Sequence, residues 1–243
     1  MKRTSHGLDA VFIAAFLIVA FYQTATADPP EKPGNPGVPG LLAEISDLKA
    51  QIAELEAIIE GYENLAPVPK TGQTTLHEFG DDGDLQKGLP WPDPRFTDNE
   101  DGTVTDNLTR LIWLKDANRF GMVTWSEALE ACNNLGDDGI DLKDGSVAGD
   151  WRLPTIRELQ SLIHYGVHDP ALPNTNGTGK WSEGDPFTGV LCDVTNCDNG
   201  YYWSSSTAAG SGDAFYMYLG GGFVRGLNKS HDGYLVWPVR DAK

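Results

Sequence analysis

Apolar residues recur with different periods in different parts of the chain. Leu41, Ile45, Leu48, Ile52, Leu55, Ile59 and Tyr62 follow one another at alternating steps of four and three, the spacing of a heptad seam with Ile at a and Leu at d. This predicts a coiled-coil stalk over residues 41–65, which the linker Ala66-Pro67-Val68-Pro69 ends because proline cannot continue a helix. Further on, Trp125, Ala128, Leu129, Cys132 and Leu135 share one helical face, with Thr124 and Glu127 as a capping box and Gly136 as a stop. A second such helix begins at Ile156. Pro154 keeps Leu153 extended, Thr155 and Glu158 form its capping box, Ile156, Leu159, Leu162 and Ile163 make the buried stripe, and Gly166 is the expected stop.

Elsewhere the period is two or the run is continuous. Phe96 to Asp106 reads as a hairpin turning at Asp101-Gly102, and Leu111-Ile112-Trp113-Leu114 as a buried strand. Tyr201-Tyr202-Trp203-Ser204-Ser205-Ser206 opens a terminal sheet. In the next strand Phe215, Met217 and Leu219 alternate with Tyr216 and Tyr218. Phe223-Val224-Arg225 and Tyr234 to Arg240 follow after turns, with Pro238 marking an edge or bulge. Between the second helix and these strands lies a long loop, Gly166 to Gly200, rich in Asn, Asp, Gly, Thr and Pro. Two capped helices, a long loop and a run of strands predict an α+β domain over residues 70–243.

Ahead of the stalk, Lys2 and Arg3, the apolar stretch Val11 to Phe21 and Ala25-Thr26-Ala27 have the form of a signal peptide over residues 1–27. Export is therefore expected, to the periplasm, the medium or the surface of a bacterium. Residues 28–40 are a Pro/Gly-rich spacer in which Gly34, Gly37 and Gly40 keep a collagen-like period. Stalk and spacer imply a homo-oligomer. Ile at a with Leu at d favours two chains, whereas collagen-like neighbours imply three, and the choice stays open.

Charge and motifs narrow the chemistry. A net charge of −17 leaves few cations for phosphates, so nucleic acid is not an expected partner. Asp81-Asp82-Gly83-Asp84 raises calcium as a ligand, but the alternating ligands and closing Glu of an EF-hand are missing, so a solvated acidic loop is expected, with no metal and no cofactor. His164 and His168 lack the Glu of a zinc-protease helix, Ser204 to Ser206 lack an assignable base, and no nucleophile elbow occurs. No enzymatic activity is expected. Among the three cysteines, Cys192 and Cys197 flank Asp193 to Asn196 and are expected to form a disulfide in an exported protein, while Cys132 sits on an apolar helix face.

Several short blocks resemble one family. Arg95-Phe96-Thr97-Asp98-Asn99, Asp101 to Thr109, Ile112-Trp113, Trp151-Arg152-Leu153-Pro154-Thr155 with Glu158-Leu159, Tyr202-Trp203-Ser204-Ser205-Ser206 and Pro238-Val239-Arg240 resemble, in order, the C-terminal domain of Legionella collagen-like protein. The resemblance implies a C-type-lectin-like fold on a stalk, and a surface or secreted adhesin-type head that binds polysaccharide. Calcium-dependent sugar binding in C-type lectins uses Glu-Pro-Asn or Gln-Pro-Asp with Trp-Asn-Asp, which this chain lacks. A polyanionic ligand would need a basic cluster, for which Arg225, Lys229, His231 and Arg240 are candidates. The candidate ligand-contacting residues are Trp181 on the long loop and Tyr216, Tyr218, Arg225, Asn228, Lys229 and His231 on the last strands and turns, because aromatic faces stack on sugars while amides and cations bond their hydroxyls. A protein-binding variable receptor of the retroelement-diversified type, or a structural part of a surface assembly, is the alternative.

Overall fold

The computed structural model describes residues 37–63, 68–192 and 199–242. The signal peptide and the spacer up to residue 36 lie outside the described residues. The chain divides into two compact units, Met1–Pro67 and Val68–Lys243.

Among the described residues of the first unit one helix, α1, spans Gly37–Glu63. It starts four residues before the predicted stalk, so Gly37-Val38-Pro39-Gly40 forms its first turn and does not extend the spacer. Proline is tolerated there because first-turn N–H groups have no helical partner. On the single chain the seam is open to solvent: Leu41 is 46%, Ile45 47%, Leu48 50% and Ile52 53% exposed.

The second unit is α+β. A four-stranded sheet has the order β1 (Phe96–Asp98), β2 (Thr103–Asp106), β3 (Leu111–Leu114), β9 (Val239–Asp241), and all its pairs are antiparallel. A five-stranded sheet has the order β4 (Met122–Val123), β8 (Tyr234–Leu235), β5 (Tyr201–Thr207), β6 (Ala214–Tyr218), β7 (Phe223–Leu227). Its β5–β8 pair is parallel and the others are antiparallel. Two sheets thus replace the one that the pattern suggested, and the segment Tyr234 to Arg240 is divided between them. The chain leaves the larger sheet at Val236 and enters the smaller at Val239, with Pro238 donating no N–H while its carbonyl accepts from Leu114 N–H at 3.0 Å.

The helices are α2 (Asp82–Leu85), a short turn inside the acidic loop, α3 (Trp125–Asn134) and α4 (Ile156–Ser161). Both predicted capping boxes are formed, at Thr124 with Glu127 and at Thr155 with Glu158; such a cap contributes about 1 kcal/mol. Glu158 has a second task. Arg152 grips its carboxylate with two N–H bonds of 2.8 and 2.7 Å, and Arg152 backbone pairs with Val239 in both directions at 3.0 Å. The stretch Trp151 to Glu158 therefore fastens α4 to the smaller sheet. The helix ends sooner than Gly166, at Ser161, with Leu162 as its cap.

Strand alternation sets the core. Tyr202, Met217 and Leu235 face one way and join Trp113, Val239, Trp237, Leu159 and Leu162 from the other sheet and α4. Trp203, Tyr216 and Tyr234 face the other way and pack under α3 with Ala128 and Cys132. Burial pushes the Cys132 thiol up to about 12, so it behaves as a small apolar side chain. The long loop takes part in this core: Leu172 and Phe187 are fully buried, Ala171 N–H bonds Leu219 O at 2.7 Å, and Thr188 N–H bonds Lys115 O at 2.9 Å.

Candidate functional site

Register in the larger sheet decides which side chains are neighbours. Directly opposed antiparallel residues project from the same face, so Tyr201, Tyr218 and Phe223 line up across β5, β6 and β7, with Trp203, Tyr216 and Arg225 as the next row. Helix α3 covers the Trp203 end of this face. Towards the other end the aromatic rings form a strip. Tyr218 and Phe223 are parallel, with planes 2° apart and centroids at 6.2 Å. Tyr201 lies 5.0 Å from both Tyr218 and Tyr234. His231 leans on Tyr234 at 4.9 Å. Phe223 is 62% exposed, and Tyr201 and Tyr218 are half-buried.

The sequence-predicted residues divide across this geometry. Tyr218 lies on the strip, Arg225 stands in the next row opposite Tyr216, and His231 meets the strip at Tyr234. Tyr216 shares the face, but is only 8% exposed, because Trp203, Tyr234 and Tyr201 surround its ring; it forms the floor. Lys229 lies 4.1 Å above the Trp125 ring and its ammonium donates to Thr207 Oγ1 at 3.0 Å. Asn228 spends its side-chain oxygen on Ser230 N–H and Oγ–H, so it shapes the turn. Trp181 is elsewhere: it packs on the first core cluster and its indole donates to Phe187 O at 3.1 Å. Arg240 does not add to a basic patch. It is buried, paired with Asp144 at 3.0 Å and stacked over Trp151. Cys192 is half-buried, and its expected partner Cys197 lies outside the described residues. Ser204 is fully buried, with its hydroxyl donating to Phe215 O at 2.7 Å. Among the described residues no three His, Cys, Asp or Glu converge on a point where a metal could sit.

A second concave feature was not visible in the pattern. Residues 70–77 run beside Trp91 and the turn His164-Tyr165-Gly166-Val167, and with Gly177-Thr178 they enclose a groove of about 450 Å³. Trp91 is held by its indole N–H on Lys70 O at 2.8 Å, and meets the His164 ring edge-on at 5.1 Å. Tyr165 N–H bonds Thr71 O, and His164 N–H bonds Ala171 O, both at 2.8 Å. The one sequence signal was an indole in a stretch of Gly, Asp and Pro.

His164 is 6% exposed, and burial lowers its pKa from the usual 6.5. In the unfolded chain the imidazole takes up a proton near 6.5, whereas in the folded chain it does so only at lower pH. Its contribution to stability is thus fully present above about 6.5 and is lost as pH falls from there through the folded value. The urea midpoint should fall between pH 7 and pH 5, and His164→Gln should flatten that slope; parallel slopes for the two proteins would reject the assignment.

The model of the Lcl C-terminal domain family covers residues 102–240, more than half of the chain. No curated protein and no solved structure matches.

Proposed function

Since the chain belongs to the Lcl C-terminal domain family, we propose that it is an exported, non-enzymatic adhesin-type protein whose C-type-lectin-like head binds a glycan and whose helix α1 joins copies of the chain. Two capped helices, a long loop folded back on the strands and a terminal sheet support the lectin-like reading. A positive n-region, an apolar core and Ala25-Thr26-Ala27 support export; no described helix is long and apolar enough to cross a membrane.

The observation that carries the glycan reading is the strip of Tyr218 and Phe223 beside Arg225. The outer ring of this stacked pair, Phe223, leaves apolar surface for a pyranose unit, and a guanidinium next to it donates to hydroxyls in a fixed fork. Core positions are already filled by Trp113, Trp151, Trp203 and Trp237, all fully buried, so Phe223 is not needed there. A 62% exposed phenylalanine leaves apolar area in water, a cost that a partner would relieve.

On a glycan array, the full exported chain should retain a defined set of polysaccharides, and Tyr218→Ala with Phe223→Ala should weaken binding about tenfold or more. Loss of one or two stacking contacts of about 0.5–1.5 kcal/mol each, with their buried area, accounts for that change. The melting temperature of Phe223→Ala alone should move little, because Phe223 is largely in solvent. Undiminished binding by the double variant would remove the strip from the site. A protein ligand is the alternative, and a pull-down that recovers one defined protein with no glycan binding would favour it.

A further inference from the structure

The groove beside Trp91 is built, and nothing in the strip requires it. Gly72 takes a left-handed backbone (φ +87°), and a Cβ there would lie 2.7 Å from the His164 ring; one on Gly166 would lie 2.8 Å from the same ring. Two glycines thus seat the imidazole. Gly166 N–H donates to His164 Nδ1 at 3.0 Å, so Nε2 carries the ring hydrogen and remains a donor in the neutral form. The walls combine faces with polar tips. Tyr165 is 44% exposed, Trp91 is half-buried, and the side chains of Gln73, Thr75 and Thr178 make no hydrogen bond to another described residue.

We propose that this groove is a binding subsite for a neutral pyranose, stacked against Tyr165 and Trp91 and hydrogen-bonded by His164, Gln73, Thr75 and Thr178. The proposal deepens the glycan reading above and rests on it. The volume of about 450 Å³ falls in the range of small-molecule sites and suits one or two sugar rings. Charge selects the class. Among the described residues no carboxylate lines the groove, and Lys70 is its one permanently cationic residue. The acidic loop stands beside it: Asp82 accepts a hydrogen bond from Thr71, and Asp81 caps α2. Sulfated or carboxylated sugars would approach against that negative potential, whereas a neutral ring would not.

Tyr165 also borders the turn that carries Phe223. Tyr165 Cε1 lies 3.3 Å from where a Cβ on Gly222 would stand, and Phe223 is the next residue.

Saturation-transfer NMR on the full exported chain, with methyl glycosides of glucose, galactose, mannose and N-acetylglucosamine, tests the subsite directly. At least one should bind, and Tyr165→Ala and the Gln73→Ala, Thr178→Ala pair should each weaken it at least tenfold. These side chains are exposed or half-buried, so the variants should fold. Binding that is lost in Phe223→Ala but kept in the groove variants would overturn the subsite and leave the glycan reading standing. Binding of sulfated glycosides alone would overturn the neutral class, and no binding of any glycoside or array polysaccharide would overturn both proposals.

Discussion

Asp106→Ala should lower the stability of the head by about 3–5 kcal/mol, the cost of leaving a buried charge without its partner. Asp106 and Arg95 form an ion pair with both side chains fully inaccessible. Burial lowers the Arg95 pKa, with Asp106 opposing that shift, yet an arginine stays charged under any folding condition. The guanidinium cannot escape its cost by losing a proton. Asp106 also accepts from Leu108 N–H at 2.8 Å and Thr109 N–H at 3.1 Å, so the turn from β2 to β3 loses its anchor as well. For a unit of this size the melting temperature should fall by roughly 10 °C. An Arg95→Met, Asp106→Leu double variant should recover much of the loss, because an apolar pair of similar volume needs no solvation. A single variant that melts like the parent would show that the pair is not desolvated.

The same pair reaches the groove. Arg95 donates to Ser161 O at 2.9 Å at the end of α4, and its guanidinium lies 5.1 Å over the Trp91 ring. Gly177, on the far wall, would place a Cβ 2.9 Å from Arg95 Cβ and 3.0 Å from the Trp91 ring. One buried arginine thus sets the indole against the loop. Glycoside binding should therefore fall in Asp106→Ala even where the protein is still folded, and return only in part in the apolar double variant, which lacks the cation over Trp91.

Much of this was legible in the chain because it depends on neighbours in sequence. Thr155 and Glu158 cap α4 by local hydrogen bonds, and the Asp101-Gly102 turn brings Asp98 opposite Val104. The alternation of Tyr216 and Tyr218 against Met217 also placed both tyrosines on one face. It did not say how much of that face is covered: Tyr216 lies under Trp203 and Tyr234 from other strands, while Tyr218 is nearer the open end. Likewise Val236-Trp237-Pro238 looks like the middle of a strand, but Trp237 leaves the sheet to donate its indole N–H to Leu114 O at 2.8 Å. The groove joins Gln73, Trp91, His164 and Thr178, whose separations carry no period, so only tertiary folding brings them together. Asp137-Asp138 is turn-forming: Asp138 accepts from Ile140, Asp141 and Leu142 N–H.

If α1 joins copies of the chain as proposed, Ile52→Asp should convert the protein from an oligomer to a monomer, the largest change expected in its behaviour in solution. In the proposed assembly the seam of α1 is buried only by a second copy. Each half-exposed Ile or Leu on it gains at most about 1.5–3 kcal/mol on full burial, and with about three heptads the total is modest once association entropy is subtracted. Replacing Ile52 removes that gain from every chain and sets like carboxylates against one another at the interface, so the association constant should fall at least a hundredfold, about 3 kcal/mol. Light scattering at micromolar concentration would then report the mass of one chain for Ile52→Asp and a two- or three-chain mass for the parent. A parent that is already monomeric, or an Ile52→Asp variant that stays assembled, would move self-association away from α1. Glycan-array retention gives the functional counterpart. Several heads on one stem would hold a repeating polysaccharide at high effective concentration, so under the proposed function the monomeric variant should release it far faster, while its affinity for a single methyl glycoside stays the same.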